Sequence, residues 1–355
     1  MNSAQAWVMD SRESLRRLRN ALLLDAILLT PTGKKLFNER AESYLGGHSL
    51  EECIQIMDRQ FQESRVHAII DLLGENSSTI EEADKYFKEY SKIPPALNNS
   101  FPTQNVVSVS IKPSSICMVN PEGRGLSNNL SLYNRLGEYA TLARNYGIEV
   151  TQDMESSFFT DVSLDTAQQL WHDGLDNLGI VLQTRLNRTE GDIQNYIVKQ
   201  DYPFDKSKIK IRLVVGIYVE SRKIASGKAV AKLRFPERAA EILDAGAYLQ
   251  IATHDTRLIE RVINEVICPR EQRGQIDKSR YELQILRGIR VVDSVVKQFV
   301  DGGIKVSEYN PYEAFPRTAK PYMRRRLIAN PELFDVVVRE FFYDNLSRAA
   351  HTKIF

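Results

Sequence analysis

Eight short apolar runs, separated by longer segments of helical periodicity, limit how this chain can fold more than any other feature. The runs lie at residues 67–73, 106–111, 148–154, 179–183, 211–218, 247–252, 281–286 and 304–309. Between them, segments such as Ser131–Tyr146 and Pro236–Ala245 repeat apolar residues at the spacing of an amphipathic helix. Strands that alternate with helices pair in parallel through right-handed crossovers. Eight such units over about 270 residues match an α/β fold, the (β/α)8 TIM-type barrel. A doubly wound open sheet is the alternative.

The residues before the first run are predicted to form a helical extension. Ser11–Leu24 repeats apolar residues at helical spacing, and Ser49 with Glu52 has the pattern of a capping box for a later helix. We therefore expect an N-terminal helical arm at residues 1–65, followed by a barrel domain with C-terminal helices at residues 66–355.

The composition excludes several classes of protein. The chain has 47 Lys and Arg residues against 46 Asp and Glu residues, so nothing favours a nucleic acid partner. Three scattered cysteines and five scattered histidines predict reduced thiols, no disulfide framework and no metal site. The most apolar stretch, Ala21–Leu29, is interrupted by Asp25 and is shorter than the roughly 20 residues that span a bilayer. We expect a cytoplasmic protein, with peripheral contact to the inner face of a membrane left open.

Charged side chains follow the apolar runs at the end where function collects in a barrel. The acidic and basic members of this set are Glu75, Asp153, Glu155, Lys112, Arg212, Arg325 and Arg326. Opposite charges at one rim suit a zwitterionic or anionic small ligand, because arginine binds a carboxylate through two parallel hydrogen bonds. No GxGxxG pattern follows a predicted strand, so a Rossmann dinucleotide site is not expected.

Short motifs occur in a fixed order at the same strand ends. They are DLLGE at 71–75, VSIK at 109–112, DME at 153–155, VLQ at 181–183, RLVVGIY at 212–218, ATH at 252–254, YELQIL at 281–286, YNP at 309–311 and YMRRRL at 322–327. In order and spacing they resemble the motifs of the proline dehydrogenase family, over roughly residues 65 to 335. This resemblance implies a distorted barrel with FAD at its mouth and the last helix across the top.

The resemblance also implies roles for individual residues. Asp153 and Arg212 are the implied catalytic residues, with Arg212 against the flavin and facing a gate at Glu75. Arg325 and Arg326 are expected to hold the substrate carboxylate. The implied substrate-binding residues are Lys112, Arg325, Arg326, Tyr309, Tyr322, Tyr218 and Leu286. The implied cofactor-binding residues are Met154, Gln183, Arg212, Val215, Gly216, Ile217, Thr253, His254 and Gln284.

Four positions depart from the family pattern. Val215 replaces the lysine of RLVKGAY, Ile217 replaces an alanine, Ala329 replaces a glutamate, and Glu313 replaces a glycine. None of them belongs to the implied hydride-transfer residues, so the reaction type is expected to be retained. They leave the exact substrate open.

The resemblance implies that the chain oxidises L-proline to Δ1-pyrroline-5-carboxylate. Hydride would pass from the ring carbon next to nitrogen to FAD, and electrons would pass on to a quinone or another acceptor. One alternative is the same chemistry on a modified proline, such as hydroxyproline, in a catabolic or biosynthetic pathway. Others are a Schiff-base lyase with Lys112 as nucleophile, and a binding module without turnover. The oligomeric state is left open.

Overall fold

Eight parallel strands close into a barrel in the order in which they occur in the chain. The structure, a computed structural model, describes residues 3–100, 108–218, 220–316 and 318–329. The strands are β1 (His67–Leu72), β2 (Ser108–Ile111), β3 (Glu149–Gln152), β4 (Leu178–Gln183), β5 (Lys210–Val214), β6 (Tyr248–Ala252), β7 (Tyr281–Leu286) and β8 (Lys305–Tyr312). Because β8 pairs with β1, the barrel prediction is confirmed and the open-sheet alternative is wrong.

Helices precede the barrel and connect its strands. They are α1 (Ser3–Leu28), α2 (Pro31–Tyr44), α3 (Leu50–Ser64), α4 (Ile80–Ser100), α5 (Pro113–Ile116), α6 (Asn129–Asn145), α7 (Thr160–His172), α8 (Thr189–Ile193), α9 (Lys228–Asp244), α10 (Thr256–Val262), α11 (Cys268–Gln272), α12 (Asp293–Asp301) and α13 (Ala319–Ala329). Several pack against the strand that follows them, such as α6 on β3 and α7 on β4. No helix within the described ranges is long and apolar enough to cross a membrane.

Burial on both faces explains why the strands are visible in the sequence. All six residues of β4 and five of the six in β1 are buried. One face of such a strand packs on a helix and the other points into the barrel, so polar and apolar residues do not alternate as they do in a half-exposed sheet. On the outer side, Trp171 of α7 is fully buried and donates its Nε1–H to Leu178 O at 2.8 Å.

Some element boundaries differ from the predicted ones. The run at 211–218 contributes a strand only to Val214, because Gly216 has a φ of +103° and the chain leaves the extended conformation there. Of the second run, Val106 and Val107 lie outside the described residues. Helix α9 begins at Lys228, eight residues before the predicted start at Pro236, and accommodates that proline in its interior.

Two compact units make up the chain. The described residues of Met1–Leu45 and Phe315–Phe355 form one, and Gly46–Ala314 forms the other, which contains the barrel and α3. Within the first unit, Arg324 of α13 and Asp25 of α1 pair at 2.9 Å. The predicted division into an arm at 1–65 and a domain at 66–355 stays a prediction.

Ser49 caps the N-terminus of α3, so its replacement should change the stability of the protein measurably. Ser49 Oγ accepts from Glu52 N at 3.2 Å, and the Glu52 carboxylate accepts from His48 N at 2.8 Å. Replacing Ser49 with alanine is expected to lower the free energy of unfolding by about 1 kcal/mol, as measured by urea denaturation. Ser49→Thr keeps the hydroxyl and should lose much less. Equal losses in the two variants would contradict the capping role.

Candidate active site

A buried arginine in the barrel interior organises the rim at the carboxyl ends of the strands. Arg212 lies in the middle of β5, between Ile211 and Leu213, and only 5% of it is exposed. Because side chains alternate along a strand, Arg212 points into the barrel while its two neighbours point towards the helices. It reaches Ser110 on β2, where Nη1 donates to Oγ at 2.7 Å, and Gln284 on β7, where Nε donates to Oε1 at 2.6 Å.

Asp153, directly after β3, is the anionic partner of this arginine. Its Oδ1 accepts from Arg212 Nη1 at 2.6 Å and from Ser110 Oγ at 3.2 Å. Its Oδ2 accepts from the hydroxyl of Tyr309 on β8 at 2.7 Å. The guanidinium carbon of Arg212 also lies 5.3 Å from the centroid of the Tyr309 ring. Asp153, Arg212 and Tyr309 are thus held in one orientation by groups from four strands.

Gln284 orients Arg212, and one nitrogen of this arginine makes no hydrogen bond to the described residues. Gln284 cannot turn its amide round easily, because its Nε2 donates to Glu282 Oε1 at 2.6 Å while its Oε1 accepts from Arg212. Arg212 Nη2 is buried and has no hydrogen-bond partner among the described residues. A buried donor of this kind costs stability unless a bound molecule accepts from it. The site is therefore suited to a ligand with an acceptor atom at this point.

A second ion pair lies beside the first. Lys112, at the end of β2, donates to Asp71 of β1, and its Nζ is 3.9 Å from Asp153 Oδ2. Burial alone would lower the pKa of Lys112, but the carboxylates of Asp71 and Asp153 outweigh it and raise that pKa above its ordinary value. Asp71 is fully buried and was not among the predicted site residues. Its signal in the sequence is an acidic residue inside an otherwise apolar run.

The loop after β5 packs closely against side chains at the end of β4 and directly after it. Gly216 has a φ of +103°, and a methyl group there would lie 2.7 Å from Gln183 Oε1 and 2.9 Å from side-chain carbons of Arg185. Val215, Ile217 and Tyr218 flank this glycine and are only partly exposed. We call residues 215–218 the β5 loop. The absence of a side chain at Gly216 lets Gln183 and Arg185 pack directly against the backbone of this loop.

Other predicted cofactor and substrate residues lie at the same end of the barrel. His254 Nε2 accepts from Leu286 N at 2.8 Å, which ties the ends of β6 and β7 together. Thr253 and Met154 are buried, whereas Leu286 is partly exposed. Glu75 lies partly exposed in the β1–α4 loop, residues 73–79. The roles predicted for these residues stay predictions.

Three predicted substrate residues belong to α13, in the other compact unit. Within that helix, the guanidinium carbon of Arg326 lies 5.0 Å from the centroid of the Tyr322 ring. The side chains of Arg325 and Ala329 lie outside what the structure describes. The predicted contact of Arg325 and Arg326 with a carboxylate stays a prediction.

Glu155 is a buried acid two residues beyond Asp153. Its Oε2 accepts from Ser114 N at 2.9 Å and its Oε1 accepts from Ser114 Oγ at 2.5 Å. Burial raises the pKa of Glu155 from 4.5 to about 7, although the hydrogen bonds from Ser114 act in the opposite direction. A carboxylate that titrates near neutral pH is thus built into the rim.

The raised pKa of Glu155 predicts that the free energy of unfolding depends on pH. Because the pKa of Glu155 is higher in the folded state, its contribution to stability is fully present below pH 4.5 and is lost as the pH rises to about 7. Between about pH 5 and about pH 8, the wild type should lose on the order of 3 kcal/mol in free energy of unfolding relative to Glu155→Gln. Urea titrations of both proteins measure this difference. A difference that does not vary with pH would contradict the raised pKa.

Comparison with known proteins assigns the chain to a family. The family model for proline dehydrogenase matches residues 55–333. Proline dehydrogenase of Deinococcus radiodurans is 29% identical over 311 residues, which cover 86% of this chain and 91% of that protein. The bifunctional protein PutA of Escherichia coli (strain K12) is 24% identical over 319 residues, which cover 81% of this chain and 23% of PutA.

A solved structure is similar in fold. The crystal structure of proline utilization A (PutA) from Bdellovibrio bacteriovorus, inactivated by N-propargylglycine, superposes with a TM-score of 0.69 at 20% identity. The similarity covers 81% of this chain and 32% of that one, so this chain spans about a third of the solved protein. Since the family model matches most of its length, and the barrel rim carries the family's motifs, the chain belongs to the proline dehydrogenase family.

Proposed function

We propose that this chain oxidises L-proline to Δ1-pyrroline-5-carboxylate, with FAD as the hydride acceptor and a quinone or another molecule as the final electron acceptor. The observation that carries this proposal is the arrangement of Arg212. Its guanidinium is fixed by Asp153 and Gln284 in the barrel mouth, and its Nη2 is buried without a hydrogen-bond partner among the described residues. A cation held in this way is ready to act on a bound molecule that becomes negatively charged.

The residues present fit FAD. Arg212 Nη2 is a buried donor without a hydrogen-bond partner among the described residues, and an acceptor atom of a flat ring system would satisfy it. Met154, Thr253, His254 and the backbone of the β5 loop complete the proposed cofactor contacts. When bound, FAD supplies the two-electron chemistry that no side chain can provide. Gln284 also orients Arg212, and its expected contact with the cofactor is part of the proposal.

The protein's own contribution is to position the substrate and balance charge. Hydride can leave the ring carbon only when the neighbouring nitrogen is unprotonated and the carbon is held against the acceptor, so orientation is the main task. Arg212 and Lys112 would supply positive charge beside the hydride acceptor, which favours the transfer of hydride to it. Asp153 and Asp71 keep both cations in place. Arg325 and Arg326 are the proposed ligands of the substrate carboxylate.

The Schiff-base alternative is disfavoured by the state of Lys112. A nucleophilic lysine needs a lowered pKa so that its amine is neutral near pH 7. Here the neighbouring carboxylates raise the pKa of Lys112, and its ammonium group donates to Asp71. Hydride transfer does not need a neutral Lys112, and a charged Lys112 would favour it.

Steady-state kinetics with an artificial electron acceptor test the proposal. We expect turnover of L-proline to a product lighter by two hydrogens, detected by mass spectrometry, and a lower kcat/KM for trans-4-hydroxy-L-proline. The reverse preference would favour the modified-proline alternative. A FAD-loaded protein that turns over neither compound would contradict the proposed function.

A further inference from the structure

The β1–α4 loop, which carries Glu75, is held by several hydrogen bonds, and the two that lie directly after Glu75 are both made to Ser114. Asn76 N donates to Ser114 Oγ at 2.9 Å, and Ser77 N donates to Ser114 O at 2.8 Å. Asn76 has a φ of +57°, so the chain turns sharply directly after Glu75. The amide directly after Glu75 is therefore held by the Ser114 hydroxyl, and this contact requires that the hydroxyl be oriented to accept.

Glu155 determines that orientation. Its carboxylate accepts from both Ser114 N and Ser114 Oγ, and only 4% of Glu155 is exposed. A serine hydroxyl has one proton to donate. Because this proton is directed at Glu155, the lone pairs of Ser114 Oγ are left to accept from Asn76 N. The hydrogen bonds run in one direction, from the loop through Ser114 to Glu155.

Glu155 also contacts Gln183, a proposed cofactor-binding residue. Glu155 O accepts from Gln183 Nε2 at 2.9 Å. The other end of that amide, Gln183 Oε1, lies where a methyl group on Gly216 would come within 2.7 Å. Glu155 thus joins two parts of the rim, one through its carboxylate and one through its backbone carbonyl.

We propose that Glu155 is a positioning residue for proline oxidation, which holds the β1–α4 loop in place through Ser114 and so sets how well the site retains substrate. This assignment rests on the proposed function, since it names a support for that site. The charged groups that act on the Glu155 carboxylate, besides burial and Ser114, are Glu75 and Lys112. Maintaining a buried acid against its desolvation cost is expected where it fixes a functional segment.

The same loop offers a matched control. Glu82 of α4 accepts from Ser78 N at 2.8 Å and from Ser78 Oγ at 3.0 Å, so it repeats the pattern of a carboxylate bound to both donors of one serine. This second pair is exposed to solvent, and it lies at the opposite end of the loop from Glu75. Glu82→Gln therefore changes a chemically equivalent contact that the proposal does not use.

The experiment compares Glu155→Gln, Ser114→Ala and Glu82→Gln with the wild type, all loaded with FAD. Hydrogen–deuterium exchange of a peptide covering residues 73–78 reports on the loop, and kinetics with L-proline report on the site. For Glu155→Gln and Ser114→Ala we expect exchange at Asn76 and Ser77 to accelerate about tenfold. KM should rise about tenfold while kcat changes less than about threefold, because Arg212 and Asp153 are untouched. Glu82→Gln should match the wild type both in the rate of amide exchange at residues 76–77 and in KM.

Wild-type exchange and wild-type KM in Glu155→Gln would overturn the proposal, as would an equal effect in Glu82→Gln. If Glu155→Gln does not accumulate as folded protein, Ser114→Ala decides the question alone, since it removes one hydroxyl and keeps the carboxylate. Failure of the proposed function has a different signature, because L-proline would then not be turned over by the wild type. The exchange comparison would still show whether Glu155 holds the loop.

Discussion

Replacing Arg212 with lysine is expected to lower kcat/KM for L-proline by about 10²–10³. Lysine keeps the positive charge, so Asp153 is not left as an unpaired buried anion. A single ammonium group cannot reproduce the guanidinium fork that donates to Gln284 with Nε and to Asp153 and Ser110 with Nη1. Nη2, the donor that has no partner among the described residues, is then no longer held in its position. Steady-state kinetics with an artificial electron acceptor, on protein of equal FAD content, measure the loss.

Arg270→Lys is the control for this substitution. Arg270 makes a two-pronged contact with Asp244, at 2.9 and 2.7 Å, on the outside of the barrel. Its replacement should leave kcat/KM within about threefold of the wild type, as expected for an exposed pair. A kcat/KM near the wild-type value in Arg212→Lys would show that the guanidinium geometry is not needed for the reaction.

Replacing Gly216 with alanine is expected to remove most of the bound flavin, with at least about a tenfold drop in visible absorbance per protein. Two causes act together. The φ of +103° is unfavourable for alanine, and its methyl group would lie 2.7 Å from Gln183 Oε1 and 2.9 Å from Arg185 carbons. The β5 loop would have to move, and its backbone would no longer present the same surface. Absorbance spectra and FAD titration of the purified variant measure this effect.

Gly147→Ala is the control that distinguishes the effect of backbone strain from the effect of crowding at the site. Its φ of +68° is also in the left-handed region, but nothing lies within 4 Å of the position that a methyl group would occupy. Gly147→Ala should therefore cost about 1 kcal/mol in stability and leave the FAD content unchanged. Equal flavin loss in both variants would mean that Gly216 acts only through general stability.

The barrel could be predicted because its strands are buried on both faces, and the site could be predicted only in part. Each strand appears as an apolar run, and the motifs at the strand ends pointed to Arg212, Asp153 and Tyr309, which the structure brings into contact. Pairs that depend on strand register were missed. Lys112 meets Asp71 because Asp71 stands opposite Ser110 in the β1–β2 pairing, and no spacing along the chain reveals that alignment.

Local backbone geometry accounts for the remaining differences. An apolar run does not show where the chain leaves the extended conformation, so the fifth strand was predicted to continue past Val214 to residue 218. The helical periodicity of residues 236–245 does not show how far the helix extends before Pro236, and α9 begins at Lys228. The contact between Glu155 and Ser114 was also not expected, because it joins residues that are distant in the chain and ordinary in type.

The visible spectrum of the purified protein, recorded before and after anaerobic addition of L-proline, shows whether the chain oxidises L-proline through a bound flavin. A yellow protein whose flavin absorbance is bleached by L-proline, with Δ1-pyrroline-5-carboxylate formed in equal amount, is the predicted result. A colourless protein that does not take up added FAD, or a flavin that L-proline leaves oxidised, would contradict it.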